Sequence, residues 1–175
     1  MADEVNIVPV GTEDIETLCG LAKEIWTEHY ASILSDEQVA YMVERFQSVP
    51  AVTDQLDKGY RYYFLRSAGE SLAAGENGGF MGICPEEDGL FLSKLYVHRE
   101  FRRRGLARAA LSYLRELCRR EGYPKIRLTV NKRNAGSIAA YRRMGFQTVK
   151  EQTVDIGHGF VMDDYVMELE MSFRN

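Results

Sequence analysis

The hydrophobic positions of this chain switch repeatedly between two periods. Val5 to Val10 is a short apolar run of strand character, and Tyr60 to Arg66 alternates with the period of two that a half-buried strand requires. Between them the period is helical: Ile15, Leu18, Ala22, Ile25 and Trp26 form one stripe, and Val39, Met42, Val43 and Phe46 a second. Gly11-Thr12-Glu13-Asp14 opens the first helix, with Thr12 as its expected cap, and Ser35-Asp36-Glu37-Gln38 reads as a capping box for the second. A short turn of helix is predicted after Pro50, ending at Gly59.

Glu70 to Gly79 is glycine-rich and reads as a turn entering a strand through Phe80-Met81-Gly82-Ile83. Pro85-Glu86-Glu87-Asp88-Gly89 is a hairpin-type connection into the strand Leu90 to Val97. A helix follows from Gly105 to about Glu121, with Leu106, Ala109, Ala110, Tyr113, Leu114, Leu117 and Cys118 on one face, and Gly122-Tyr123-Pro124 stops it. Ile126, Leu128 and Val130 alternate with Lys125, Arg127 and Thr129 in a further strand. Asn134 caps a helix ending at Gly145, and Phe146 to Asp155 and Val161 to Phe173 are the last two strands. In the last, Tyr165, Met167, Leu169, Met171 and Phe173 point one way, and Val166, Glu168, Glu170 and Ser172 the other. The order predicts an α+β fold, a mixed sheet with helices covering its faces, in one domain over residues 1–175.

The turn Arg102-Arg103-Arg104-Gly105-Leu106-Ala107 lies between a strand and an amphipathic helix, which is where an anion site forms. The first turn of a helix carries unpaired N–H groups and the positive end of the dipole. Gly105, lacking a Cβ, lets a ligand come close to the backbone, and the arginines add charge. Composition sharpens this reading. The net charge is −4, against general nucleic-acid affinity, yet five arginines and one glutamate lie between Arg99 and Arg108. Their extent suits a small polyphosphate better than a duplex.

No run of eighteen apolar residues exists, so no transmembrane helix is expected. The acidic Met1-Ala2-Asp3-Glu4 is unlike a secretory signal, and three cysteines without metal-ligand spacing fit reduced thiols, so a cytoplasmic protein is expected. The three histidines are isolated, no carboxylate cluster has ligand spacing, and neither a dinucleotide fingerprint nor a P-loop is present; no metal, NAD or ATP site is expected.

Two motifs in order carry a family resemblance. Arg102-x-x-Gly105-x-Ala107 follows a strand ending Leu95-Tyr96-Val97, and some thirty residues later comes Asn134-x-x-Ser137-x-x-x-Tyr141-x-x-Met144-Gly145-Phe146. Together they resemble the GNAT acyl-CoA N-acyltransferase superfamily. Trp26-x-x-His29-Tyr30, Gln38-x-x-x-Met42 and Asp163-Asp164-Tyr165-Val166-Met167 look more specifically like a bacterial branch of PaiA-type and diamine acetyltransferases. The resemblance implies a mostly antiparallel sheet of six to seven strands and acetyl-CoA lying in a splay between the fourth and fifth. The backbone of Leu95, Tyr96 and Val97 would pair with the pantetheine arm. The N–H groups of Arg103, Arg104, Gly105, Leu106 and Ala107 would cradle the pyrophosphate, with charge from Arg102 and Arg104. Ala107 and Arg103 replace glycines common in that motif, which backbone contacts tolerate. Asn134 would bond the pantetheine amide as well as cap its helix.

Acetyl transfer to an amine needs a neutral amine, a polarised thioester carbonyl and a proton for the departing thiolate. Tyr141 occupies the family's tyrosine position and is the expected acid; a backbone N–H near Tyr96 or Val97 would polarise the carbonyl. The base is open among Glu24, Glu28, His29, Asp163, Asp164 and a water chain, with Glu28, His29 and Asp163 as expected acceptor contacts. The leading expectation is transfer to a primary amine, a small cationic amine such as a polyamine, by direct attack. Alternatives are a protein or peptide N-terminal acetyltransferase, an acyl-CoA-binding regulator without turnover and, weaker, a nucleic-acid module. Oligomeric state is not set by the sequence.

Overall fold

The computed structural model describes residues 4–67 and 76–172. Its strands are β1 (Val5–Pro9), β2 (Arg61–Ser67), β3 (Asn77–Glu86), β4 (Gly89–Val97), β5 (Lys125–Asn131), β6 (Gln147–Gly157) and β7 (Phe160–Glu170). They form one sheet in the order β1-β2-β3-β4-β5-β7-β6, in which only the β4–β5 pair is parallel among the described residues. The helices are α1 (Ile15–His29), α2 (Asp36–Gln47), α3 (Val49–Asp57), α4 (Leu106–Glu121) and α5 (Ala135–Arg143). This is the expected α+β architecture. The turn read over Glu70–Gly79 lies mostly outside the described residues, as does Phe173 at the expected end of the last strand.

Alternation along the strands sorts side chains into two cores. Tyr62 and Phe64 of β2 and Phe80 of β3 join Leu18, Ile25, Trp26, Met42 and Val52 from α1, α2 and α3 on one face. Tyr63, Leu65, Met81, Ile126, Leu128 and Met167 meet Leu106, Ala110, Leu114 and Leu117 of α4 and Ile138 of α5 on the other. The sheet therefore carries helices on both faces.

Local details differ from the sequence reading at two helix starts. A 3₁₀ turn over Thr12–Asp14 precedes α1, so the N-cap position falls to Asp14 rather than Thr12; the Asp14 carboxylate makes no cap bond to α1 but accepts the Gly11 N–H at 3.0 Å. At α2 only half of the capping box forms: Ser35 Oγ accepts the Gln38 N–H at 3.2 Å. The Gln38 amide instead donates to the Val161 carbonyl at 2.9 Å, tying α2 to β7.

The feature that shapes the site is in β4. Its pairing with β3 shifts register between Gly82 and Ile83, which face Lys94 and Leu92, so Ser93 is an extra residue. A bulge bends its strand and resets the alternation. Leu90, Leu92, Leu95 and Val97 all face α4, whereas Lys94 is buried on the opposite side, and Tyr96 packs into the α1–α3 core. On its other edge β4 pairs with β5 only at Leu90↔Ile126 and Phe91↔Arg127. Beyond those pairs β4 stays with β3 as far as Val97, and β5 stays with β7 as far as Asn131. The middle of the sheet opens.

Candidate active site

Two hollows meet in that opening. The outer one is a groove of about 1090 Å³ lined by Leu95, Tyr96 and Val97 of β4, by every residue from Arg102 to Arg108, and by Asn134 and Tyr141. The inner one is a cavity of about 180 Å³ between β4 and β5, reached by Trp26 and Tyr30 from α1, Met42 and Phe46 from α2, and Asp164 from β7. Leu95, Tyr96, Asn134, Ser137 and Tyr141 line both. These five residues lie where the two hollows adjoin.

The outer groove fits a phosphorylated, strand-like ligand. Beyond Phe91 the β4 edge has no strand beside it and offers its backbone N–H and C=O groups to an extended ligand. At the far end Arg103 (φ 64°) and Gly105 (φ 83°) both adopt the left-handed conformation, and Gly105 is the N-cap of α4 with no side-chain cap bond. That geometry presents the first N–H groups of α4 to the groove. Leu106 contributes only backbone, its side chain being buried in the core.

Two arginine side chains of this turn are engaged elsewhere. Arg102 forms an ion pair with Glu28 at 2.7 Å and donates to the Val97 carbonyl at 3.3 Å. The Arg104 guanidinium sits over the Phe101 ring, 5.4 Å from its centroid. Arg102 thereby pins the end of α1 beside the turn.

Asn134 couples the two motifs. Its Oδ1 accepts the Ser137 N–H at 3.3 Å, so its Nδ2 faces His29 Nε2 at 3.0 Å. That contact needs an unprotonated Nε2. Burial, with the Arg102 charge adding to it, holds the His29 pKa below the ordinary histidine value, which agrees with a neutral ring. Tyr141, one helical turn beyond Ser137, packs edge-on against Phe146, and no group among the described residues hydrogen-bonds its hydroxyl. Burial raises its pKa well above that of a free phenol, so it keeps its proton through the neutral range.

The inner cavity is aromatic with few polar atoms. The Tyr30 and Tyr96 hydroxyls share a hydrogen bond of 2.7 Å, and Trp26 packs against both rings. Burial pushes the Tyr30 pKa up to about 12, despite the Tyr96 bond. Lys94 also reaches this cavity, only 6% exposed, but its ammonium donates to the Phe46 carbonyl at 3.1 Å, to Gln55 Oε1 at 3.0 Å and to the Tyr62 hydroxyl. Burial lowers its pKa to about 7. The sequence reading missed Lys94, because only the Ser93 bulge turns it inward.

The expected acceptor contacts separate. His29 lines the outer groove. Glu28 lines neither hollow, being held by Arg102, and Glu24 is likewise held by His98 at 3.0 Å. Asp163 points out of the site: it pairs with Lys132 at 2.9 Å and accepts from the Thr153 hydroxyl at 3.1 Å. Its neighbour Asp164, which strand alternation sends to the other face, lines the inner cavity and is 3% exposed. No set of three or more metal-ligating side chains converges among the described residues, and no helix is long and apolar enough to cross a membrane.

Comparison with known proteins bears on the fold and the family. The chain is 24% identical over 162 residues to a spermidine N(1)-acetyltransferase of Thermoplasma acidophilum, covering 91% of this chain and 96% of that one. Its fold is similar to that of a PaiA N-acetyltransferase from T. acidophilum solved in complex with coenzyme A (TM-score 0.77, 20% identity, 95% and 99% of the two chains). It is also similar to the ribosomal-protein-S18-alanine N-acetyltransferase of Escherichia coli (TM-score 0.68, 19% identity, 98% and 97%). The first two match the PaiA-like branch that the motifs resemble. Residues 21–146 match the model of the acetyltransferase (GNAT) family, a span holding both the Arg102–Ala107 turn and Tyr141. The chain belongs to the acetyltransferase (GNAT) family, enzymes that take their acyl group from acetyl-CoA.

Proposed function

We propose that this protein transfers acetyl from acetyl-CoA to the primary amine of a small cationic acceptor, a polyamine first among them, by direct attack with both substrates bound. The observation that carries this reading is the pair of hollows sharing Leu95, Tyr96, Asn134, Ser137 and Tyr141. The donor lies along β4 with its pyrophosphate at the Arg103–Ala107 backbone, and Asn134 is in place to bond its pantetheine. The thioester then falls at the shared residues, and the acceptor enters from the aromatic side. Tyr141 gives its hydroxyl proton to the sulfur as the C–S bond breaks, and its unengaged hydroxyl supports that role. Two features support a cationic acceptor. Aromatic rings line the inner cavity and attract ammonium groups through their faces, and a relative of similar length carries the name of a spermidine acetyltransferase. The surface carboxylates Glu24, Glu28 and Asp163 contribute less than their number suggests, because each is already paired.

The test is an acceptor screen with acetyl-CoA and spermidine, putrescine, amino acids, aminoglycosides and N-terminal peptides, followed by thiol release and product mass. Spermidine or putrescine should give the highest kcat/KM. A preference for a peptide N-terminus or a neutral amine over every polyamine would overturn the acceptor assignment. Tight acetyl-CoA binding with no acceptor turned over would favour a regulator instead.

A further inference from the structure

Two residues lining the inner cavity each carry a buried polar atom with no hydrogen-bond partner among the described residues: Trp26 Nε1 and Asp164 Oδ1. They are of opposite kind. An indole N–H repels an ammonium and a carboxylate oxygen attracts one, so a cationic nitrogen entering this cavity goes to Asp164. A buried carboxylate oxygen left unpaired is costly unless a ligand or water completes it. The nearby cations do not complete it. The Lys94 ammonium is committed to Phe46, Gln55 and Tyr62, and Lys132 pairs with Asp163 and Glu151.

We propose that Asp164 is the catalytic group that binds the acceptor ammonium in the inner cavity and takes the proton it must lose before attack. The proposal rests on the amine acetyltransferase reading above. One proton passes from R–NH₃⁺ to the Asp164 carboxylate, and the freed lone pair attacks the thioester carbon. As the C–N bond forms and the C–S bond breaks, the electron pair leaves on sulfur, which takes the Tyr141 proton. The nitrogen's second proton restores Tyr141, and Asp164 returns its own to solvent, so one proton is released per turnover.

The surroundings suit the task. Burial raises the Asp164 pKa to about 6, with the Asp163 charge adding to the rise and Lys132 opposing it. That makes it a stronger base than a solvated aspartate. The other titratable groups lining the cavity are Tyr30 from α1, Lys94 and Tyr96 from β4, and Tyr141 from α5. The three phenols stay protonated, their pKa values all raised by burial, and the Asp164 charge further raises those of Tyr30 and Tyr96.

The test compares Asp164→Asn with the wild type across primary amines whose own pKa values span several units. Asp164→Asn should lower kcat by roughly 10²- to 10³-fold for an ordinary alkylamine or spermidine, in the range of a lost general base. The loss should shrink for weakly basic amines that arrive already neutral. Acetyl-CoA affinity should stay near wild type. In the wild type, kcat/KM for alkylamines should fall as pH drops through about 6, where Asp164 takes up its proton, and the variant should lack that limb. A penalty equal for all amines, or a rise in KM alone, would make Asp164 a binding residue only and overturn the proposal. Should the variant not fold, absence of the acid limb in the wild type would overturn it as well. A wild type that acetylates no amine would instead remove the acetyltransferase reading on which it rests.

Discussion

Replacing Tyr141 by phenylalanine should leave acetyl-CoA affinity nearly unchanged and lower turnover by roughly 10²- to 10⁴-fold, the usual range for a lost general acid. The substitution keeps the ring that packs against Phe146 and removes only a hydroxyl that has no hydrogen-bond partner among the described residues. Little stability is therefore at risk, and no hydrogen bond to another residue is broken. The phenol matters when charge develops on sulfur: a leaving thiolate in a dry site has no water at hand to protonate it. Because burial keeps Tyr141 protonated well beyond neutrality, its acid role predicts no loss of activity from Tyr141 ionisation up to pH 9 or so. Equal turnover of wild type and variant, with calorimetry showing equal binding, would reduce Tyr141 to a packing residue.

Gly105→Val should weaken coenzyme A binding by more than tenfold while the fold survives. Gly105 holds φ at 83°, a region where a side chain costs roughly 1–2 kcal/mol and a β-branched one more. The turn relieves that strain by moving, which withdraws the first N–H groups of α4 from the groove. A valine side chain also stands where the pyrophosphate must approach the backbone. Arg102→Ala and Arg104→Ala should each cost less, because those side chains are turned toward Glu28 and Phe101. Calorimetric titration of coenzyme A into the variants checks the order, with thermal melts confirming the fold. Unchanged affinity in Gly105→Val would remove the anion-binding role of the turn.

The parts of this site that were legible in the sequence are those built from neighbours in the chain. A glycine between strand and apolar stripe marks the turn at Gly105, and Asn134 caps its own helix within three residues. What the sequence hid depends on register and on distant partners. The alternation from Leu90 to Val97 identifies a strand, but nothing local shows that Ser93 is an extra residue, and that bulge is what turns Lys94 inward. The alternation of Tyr165, Met167 and Leu169 already placed Asp163 and Asp164 on opposite faces. Which face holds the acceptor cavity follows only once α1 and α2 are known to pack on the side that Met162 and Asp164 share. Glu28 looked free because its partner Arg102 lies 74 residues away.

Direct transfer requires the acetyl group to pass straight from sulfur to nitrogen where donor groove and acceptor cavity adjoin, at Tyr96, Asn134 and Tyr141. Initial rates with acetyl-CoA and spermidine both varied, combined with the intact mass of the protein after incubation with acetyl-CoA alone, test it most directly. Intersecting double-reciprocal lines and an unmodified protein mass are the predicted result; parallel lines with one acetyl group added to the protein would contradict it.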